Sequence, residues 1–152
     1  MNIKIFSDGA DISSMKEMND SPIISGLTTN PTLMKLSGVT NYENFCKEVL
    51  GFLKNKPISF EVFSDDFDEM AIQARLIASW GKNIYIKIPI MNTKGEYSFD
   101  LIRKLSDEGI KINVTAIMTL DQCKKSFDNL NPNIPSYISI FWNYFIILMF
   151  IT

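Results

Sequence analysis

The sequence predicts an α/β protein whose strands run parallel in a sheet or a barrel. Three observations support this prediction. Short apolar segments alternate with amphipathic helical segments up to residue 141, which is typical of successive βα units. The segment 84–88 is apolar on both faces apart from one lysine, as in strands that are buried on both sides. The chain has 152 residues and is 46% hydrophobic, which is enough for one domain with a substantial core.

Six segments have the length and composition of strands. Each is a short run enriched in β-branched or aromatic residues, and turn formers or helix signals bound it. We predict strands at 3–8, 23–28, 58–63, 84–89, 110–115 and 137–141.

Five helices are predicted between these strands, because capping residues mark where they begin or end. A side-chain oxygen at the start of a helix accepts a backbone N–H that has no partner within the helix. Asp11 starts a helix through Met18, and the pair Thr40 and Glu43 starts the second helix. Asp65 or Asp66 starts the third, and Gly81 is its expected left-handed terminal residue. The fourth runs from about 96 to 107 and ends before Gly109, and the pair Thr119 and Gln122 starts the fifth, which ends near Leu130.

Five βα units followed by a sixth strand predict an incomplete (β/α)8 TIM barrel. All its strands should be parallel and adjacent in chain order, because right-handed crossovers favour that arrangement. Residues 1–141 form this partial barrel domain, and residues 142–152 form an almost wholly apolar tail without charge. The tail is shorter than the roughly 20 residues that span a bilayer. We therefore expect it to pack against the opening of the sheet or against another chain.

The composition excludes several classes of function. The net charge is −2 with the two signs mixed, which provides no basic surface for nucleic acid. The chain has no histidine, so serine–histidine and cysteine–histidine catalysis and histidine-ligated zinc are ruled out. The sequence shows no P-loop, no G-x-G-x-x-G motif and no signal-peptide layout. We expect a cytoplasmic protein with no membrane segment and with Cys46 and Cys123 as buried thiols.

Polar side chains recur at the ends of the predicted strands. Side chains alternate between two faces along a strand, so β-branched residues that face the helices leave the polar residues on the opposite face. The carboxyl ends of parallel strands are where barrels and open α/β sheets build their active sites. The residues so placed are Asp8, Asn30, Glu61, Lys87, Asn113, Thr115 and Ser139. We therefore predict that these side chains converge at one end of the sheet.

Lys87 has the clearest chemical potential in this set. Burying an ammonium group is costly unless the group is paired or loses its proton. A neutral lysine amine is a nucleophile that can form a Schiff base with a carbonyl. The alternative is a structural ion pair between Glu61 and Lys87. In the same way Asp8 could only cap a turn, and Asn30 could be an ordinary turn former.

Four motifs combine these residues. They are Phe-Ser-Asp-Gly-Ala-Asp at 6–11, Gly-Leu-Thr-Thr-Asn-Pro-Thr at 26–32, Ile-Lys-Ile-Pro at 86–89 and Asn-Val-Thr at 113–115. Their order and spacing resemble the compact members of the transaldolase family, which includes the short fructose-6-phosphate aldolases. The resemblance covers residues 1 to about 141.

The resemblance implies a role for each matching residue. Lys87 is similar to the Schiff-base lysine of the family, and Asp8 to the general acid/base that works on the C4 hydroxyl. Glu61 and Thr115 resemble the pair that holds a water molecule for proton transfer. The residues implied in substrate binding are Thr29, Asn30, Asn113, Ser139 and Phe141. Two positions favour the transaldolase branch, since the aldolases have glutamine in place of Glu61 and tyrosine in place of Phe141.

The implied activity is transfer of a dihydroxyacetone unit from a ketose phosphate to an aldose phosphate through a lysine Schiff base, within the pentose phosphate pathway. The partners are then sugar phosphates, with homo-oligomers of the chain as a further expectation. Neither a cofactor nor a metal is required. Aldol cleavage of the fructose-6-phosphate aldolase type is one alternative, and an inactive fragment is another.

The resemblance ends at the tail. Family members continue after residue 141 with Gly-Arg and two more βα units, whereas the segment 142–152 is unrelated to them. We therefore expect a chain truncated or frameshifted at this point, or a divergent protein whose tail replaces the missing units. Because the phosphate-binding arginine has no counterpart, little or no transaldolase activity is expected.

Overall fold

The structure is a computed structural model that describes residues 4–142 and 145–151, with only the backbone described at 141, 142 and 145–147. The described residues separate into two compact units. The first lies within Met1–Glu61 and Trp80–Ile84, and the second within Val62–Ser79 and Tyr85–Thr152. These units differ from the predicted division into a domain of residues 1–141 and a tail of residues 142–152, and that division stays a prediction.

The first unit contains three parallel strands and three helices. Its elements are β1 (Ile5–Asp8), α1 (Ile12–Asp20), β2 (Ile24–Thr28), α2 (Pro31–Leu36), α3 (Tyr42–Phe52) and β3 (Ile58–Glu61). Strand β2 pairs with β1 and with β3, so that Thr28 lies opposite Asp8 on one side and Ser59 on the other. Gly26 lets the Phe6 ring approach β2, because a Cβ at this position would overlap that ring. The polar ends of β1 and β2 therefore lie side by side.

The second unit contains the strands that carry most of the predicted site. Its elements are α4 (Phe67–Ala78), β4 (Ile84–Pro89, of which Tyr85 onward belongs to this unit), α5 (Phe99–Asp107), β5 (Ile112–Ile117), α6 (Leu120–Asn129), β6 (Ser136–Trp142) and β7 (Phe145–Ile151). Strand β5 pairs in parallel with β4 and with β6, whereas β7 pairs antiparallel with β6. Five of the six residues of β4 are buried, as expected for a strand covered on both faces.

The predicted fold class is confirmed. In both units parallel strands that are consecutive in sequence pair with one another and are joined by helices, which is the pattern of an incomplete (β/α)8 barrel. The described residues form seven strands and six helices, one more of each than expected. The additional helix is α2, which begins with Pro31 after the N-cap residue Asn30. Proline is favoured at the first position of a helix, so this signal was available in the sequence.

The prediction that every strand is parallel is wrong for the tail. Strand β7 pairs antiparallel with β6, from Ser136 opposite Ile151 to Trp142 opposite Phe145. Only two residues separate the two strands in sequence, and so short a connection suits an antiparallel return. A run of uncharged aromatic and β-branched residues also has high strand propensity. As predicted, the described part of the tail packs against the sheet and does not form a helix.

Three capping signals are confirmed. The Asp11 side chain accepts the Ser14 N–H at the start of α1, with a distance of 2.8 Å. Thr119 and Gln122 form the reciprocal capping box at the start of α6. Of the two aspartates proposed for α4, Asp66 is the N-cap. Local hydrogen bonding thus marks these helix starts as the sequence indicates.

Two predicted helix starts are wrong. Helix α3 is capped by Asn41 rather than by Thr40, because the Asn41 side chain accepts the Asn44 N–H. Helix α5 begins at Phe99 rather than near residue 96, because residues 91 and 97 pair as a β-bridge ahead of it. In both cases the loop before the helix is longer than predicted.

Gly81 does not have the left-handed conformation predicted for it. Helix α4 ends at Ser79 in a right-handed conformation, and the left-handed glycines among the described residues are Gly38, Gly95 and Gly109. A side chain at Gly81 would lie 3.3 Å from Leu50 and 3.4 Å from Asn83. This glycine therefore serves close packing.

One burial prediction is wrong, that of Cys123. Cys46 is buried, but Cys123 is only half-buried on α6, where its Sγ lies 3.8 Å from the Met149 Sδ of β7. No helix among the described residues is long and apolar enough to cross a membrane.

Candidate active site

Lys87 lies within β4. Its side chain is 7% exposed, and its Cα is in register with that of Asn113 on β5, so the two side chains project from the same face. Ile86 and Ile88 project from the other face and are fully buried in the aliphatic core. The lysine thus lies on the predicted face of its strand.

Asn113 and Ser139 form a buried polar pair on the next two strands. Asn113 is 1% exposed and Ser139 is 5% exposed. The Ser139 hydroxyl donates a hydrogen bond of 2.6 Å to Oδ1 of Asn113. Because Oδ1 accepts this bond, the Nδ2 end of Asn113 carries the donors suited to a ligand oxygen. The structure therefore brings three predicted site residues together on three consecutive strands.

Thr115 and Phe141 lie further along the same strands. Thr115 is in register with Pro89, two residues beyond Lys87 on β4, and its side chain is half-buried. Phe141 belongs to β6, but its side chain lies outside the described residues. The predicted strand end at Thr115 is two residues too early, because β5 continues to Ile117, and the contribution of Phe141 stays a prediction.

Asp8 ends β1 in the first unit and is exposed. The Thr28 hydroxyl donates a hydrogen bond of 2.7 Å to its Oδ1, and the Gly9 N–H donates to the Thr28 carbonyl at 3.1 Å. An ionised carboxylate has about four lone-pair sites, so one hydroxyl donor does not exhaust its capacity to accept a proton. The geometry is compatible with an acid/base role for Asp8.

Thr29 and Asn30 follow β2 and make structural contacts. Thr29 is fully buried, and its N–H donates to the Ser59 carbonyl at 3.2 Å. Asn30 Oδ1 accepts the Leu33 N–H at 2.9 Å and caps α2. Asn30 is therefore a helix cap and not the ordinary turn former considered from the sequence. Its Nδ2 is the donor that it could offer to a substrate.

Glu61 ends β3 next to a tyrosine that the sequence prediction missed. Its backbone carbonyl accepts a 2.8 Å hydrogen bond from the Tyr42 hydroxyl. The Tyr42 ring packs against those of Phe60 and Trp80, with centroid distances of 6.3 and 6.1 Å. Burial raises the pKa of Tyr42, and it raises the pKa of Cys46 to about 12. The only sequence signal was an aromatic residue at a helix start, which is indistinguishable from ordinary core.

A tyrosine pair lies on the same strand face as Lys87. Tyr85 precedes Lys87 by two residues, Tyr137 precedes Ser139 by two, and the ring centroids lie 4.4 Å apart. Burial raises the pKa of both hydroxyls. Strand alternation predicts this face for both tyrosines, but not their contact. They fill the interior on the amino-terminal side of the lysine.

The segment after β4 is a short hairpin held by Asp65. The Thr93 N–H and hydroxyl both donate to the Asp65 carboxylate, at 2.7 and 2.6 Å. These bonds, the hydroxyl first, hold the pKa of Asp65 below its ordinary value. Met91 and Tyr97 form the bridge that closes the hairpin. Because the hairpin directly follows the lysine strand, it constrains the backbone at the carboxyl end of that strand.

The second unit thus offers a buried amine, an amide and a hydroxyl near the carboxyl ends of parallel strands. Among the residues described, no group of three or more cysteine, aspartate and glutamate side chains is placed to hold a metal ion. The strand pairing and these side chains define a protein of the incomplete α/β-barrel class with a buried lysine on one strand. The chain belongs to the Transaldolase/Fructose-6-phosphate aldolase family, whose profile matches residues 5–146.

The chain is similar to curated proteins of the same family. A protein from Dehalococcoides mccartyi named "Probable transaldolase" is 35% identical over 120 residues, which cover 79% of this chain and 54% of that protein. A protein of the same name from Streptococcus pyogenes serotype M5 is 39% identical over 120 residues, with 79% and 53% covered. The chain spans about half the length of these relatives.

Proposed function

We propose that this protein transfers a dihydroxyacetone unit from a ketose phosphate to an aldose phosphate through a Schiff base on Lys87, at a rate well below that of an intact transaldolase. The observation that carries the proposal is the burial of Lys87 on the strand face that holds the Asn113–Ser139 pair. A lysine amine kept from water serves either an ion pair or carbonyl chemistry. Membership of the family favours carbonyl chemistry.

The reaction begins when the neutral Lys87 amine attacks the C2 carbonyl of the ketose phosphate. The carbinolamine loses water and becomes an iminium ion, which serves as the electron sink. Asp8 takes the proton of the C4 hydroxyl, the C3–C4 bond breaks, and its electrons neutralise the iminium. An aldose phosphate leaves, and an enamine of dihydroxyacetone remains on Lys87.

The second half of the reaction reverses these steps with another aldehyde. The enamine carbon attacks the carbonyl of an acceptor aldose phosphate, Asp8 returns the proton to the new hydroxyl, and water hydrolyses the iminium. In this scheme Glu61 and Thr115 hold the water used in proton transfer. Each of these roles rests on the family motifs at the matching positions.

Asn113 and Ser139 position the dihydroxyacetone unit. The Ser139 hydroxyl holds the Asn113 amide through the 2.6 Å bond to Oδ1, and in this scheme Nδ2 of Asn113 donates to a substrate hydroxyl. Phe141, Thr29 and the Nδ2 of Asn30 complete the proposed substrate contacts. Preorganised donors of this kind need no rearrangement when the substrate binds.

Aldol cleavage without transfer is the second candidate function, because the matched family includes fructose-6-phosphate aldolases. Glu61 and Phe141 favour the transferase, since the aldolase branch carries glutamine and tyrosine at these positions. The transferase reaction would place the protein in the pentose phosphate pathway, with a cytoplasmic location.

Borohydride trapping tests the proposal. The chain is incubated with fructose 6-phosphate and sodium borohydride, and a stable adduct on Lys87 is expected by peptide mass spectrometry. Lys87→Met should abolish the adduct. Lys111→Met is the matched control. Lys111 immediately precedes β5, and its Nζ lies 5.5 Å from the centroid of the Tyr85 ring. An unmodified Lys87 would refute the Schiff base and favour a fragment without catalytic function.

Product analysis separates the two candidate functions. Fructose 6-phosphate is offered with and without an aldose phosphate acceptor. A transferase forms the new ketose phosphate only with the acceptor, whereas an aldolase releases free dihydroxyacetone in both cases. Release that does not depend on the acceptor would therefore overturn the transferase in favour of the aldolase.

A further inference from the structure

The end of β5 contains one more residue than its neighbour. Val114 is in register with Ile138 and Ile117 with Ile140, so β5 uses three residue steps where β6 uses two. The additional residue lies in the pair Thr115 and Ala116. This is a β-bulge, and bulges are over-represented beside active sites because they redirect a side chain.

The bulge changes the face on which the following residues lie. With regular alternation, Ile117 would share the face of Asn113 and Thr115. Instead Ile117 shares the face of Val114, and both are fully buried in the aliphatic core. The bulge therefore allows β5 to keep Thr115 on the lysine face and to return Ile117 to the core.

Ala116 forms the bulge in a left-handed conformation. Its φ of 60° is the single left-handed value among the described residues that are not glycine. A Cβ disfavours this conformation because it approaches the carbonyl oxygen, so the surrounding structure must hold it. On one side the Thr115 carbonyl accepts the Ile90 N–H at 2.9 Å, and on the other Gln122 Oε1 accepts the Met118 N–H at 2.8 Å.

We infer that Ala116 is a positioning residue for proton transfer at the Lys87 Schiff base. Its left-handed backbone sets the direction of the Thr115 hydroxyl, which holds the water that carries the proton. This inference rests on the proposed function and adds a residue that the motifs do not mark. Ala116 itself touches no substrate, and it acts only through Thr115.

The proton step can be observed apart from imine formation. Dihydroxyacetone first forms an iminium on Lys87. Water then removes a proton from the carbon next to C2. The C–H electrons form the enamine double bond, and the iminium nitrogen takes the π pair. In D2O the enamine carbon then takes a deuteron, and hydrolysis releases deuterated dihydroxyacetone. Borohydride reports the iminium alone, whereas deuterium uptake also requires the positioned water.

The experiment compares three substitutions in the full chain with dihydroxyacetone as the probe. Thr115→Val removes the hydroxyl and sets the reference loss. Ala116→Val disfavours the left-handed conformation, whereas Ala116→Asn tolerates it. We expect Ala116→Val to lower deuterium uptake toward the Thr115→Val value, by about a hundredfold for a water displaced by about 1 Å. Trapping of Lys87 should stay close to that of the parent, and Ala116→Asn should restore uptake.

Each outcome decides a different point. An adduct with unchanged deuterium uptake in Ala116→Val overturns the inference and leaves the Schiff base standing. An equal loss of trapping and uptake also overturns it, because a general loss of structure predicts that result. Absence of an adduct in the parent overturns the proposed function and this inference with it. Should Ala116→Val fail to fold, Ala116→Leu takes its place. A bulky side chain without β-branching also disfavours the left-handed conformation, and a smaller loss of uptake is expected.

Discussion

A hydrogen bond between polar side chains on neighbouring strands is found in each of the two units, and the two bonds differ in burial. Thr28 donates to the exposed Asp8 in the first unit, and Ser139 donates to the buried Asn113 in the second. The distances, 2.7 and 2.6 Å, are nearly the same. Water can replace the first bond but not the second, so the second has the larger structural consequence.

The difference indicates where polar residues serve the fold and where they serve chemistry. In the first unit Asn30 caps a helix, so a local backbone contact accounts for the position of its oxygen. In the second unit Asn113 and Ser139 lie within strands and not at a helix start, and their buried neighbours Ile112, Val114 and Ile138 project from the opposite, aliphatic face. Buried polar groups at such positions cost folding free energy unless they are fully hydrogen-bonded. A function therefore accounts for Asn113 and Ser139 better than the needs of the fold do.

The largest effect is expected from Asp8→Asn, which tests whether the first unit also contributes chemistry. Without a base for the C4 hydroxyl proton, cleavage of fructose 6-phosphate should slow by about a hundredfold or more. Adduct formation on Lys87 should change little, because imine formation precedes this step. Asp11→Asn is the control, since Asp11 caps α1. Equal turnover of Asp8→Asn and the parent would contradict the acid/base role.

Ser139→Ala and Thr28→Val measure the two bonds against each other. Ser139→Ala removes a buried donor and should lower the free energy of unfolding by about 1–2 kcal/mol. Thr28→Val keeps the side-chain shape and leaves an exposed carboxylate to water, so a loss of roughly 0.5 kcal/mol is expected. Urea unfolding measures both. A larger loss for Thr28→Val would reverse the comparison.

Asn30→Ala tests the structural role of a residue that is also a proposed ligand contact. Loss of the cap on α2 should cost about 1 kcal/mol. Asn30→Ser retains a capping oxygen and should be nearly neutral for stability, although it removes the Nδ2 donor. If substrate binding uses Nδ2, the Michaelis constant should rise in both variants. A rise in Asn30→Ala alone would assign Asn30 to the fold only.

Asp65→Asn should produce the smallest effect, and that effect depends on pH. Hydrogen bonds from Thr93 keep the pKa of Asp65 below its unfolded value. The stability this contributes is present above the unfolded pKa, about 3.9, and is lost as the pH falls through the lower folded pKa. The melting temperatures of parent and variant should therefore differ near about pH 7 and converge below about pH 4. Thr93→Val removes the hydroxyl donor and should weaken the same pH dependence. A difference in melting temperature between the parent and Asp65→Asn that persists in acid would exclude this linkage.

Much of the second unit was predictable from local patterns. Strand β4 has the predicted bounds. Its alternating apolar run ends at Pro89, so the limits of the strand follow from local sequence, whichever strand pairs with it. The capping box at Thr119 formed as predicted, because both of its hydrogen bonds lie within four consecutive residues. The shared face of Lys87 and Asn113 follows from alternation and the parallel register of two buried strands.

The sequence by itself determined the first six strands and which polar residues share the face of Lys87, because both follow from periodicities of two or four residues. Only the tertiary structure decided the antiparallel return of β7, the bulge at Ala116 and the pairing of Ser139 with Asn113. These depend on the register between segments, and a shift of one residue in that register would reverse the face of every side chain that follows. Contacts with a partner distant in sequence leave no local pattern in the residues that make them.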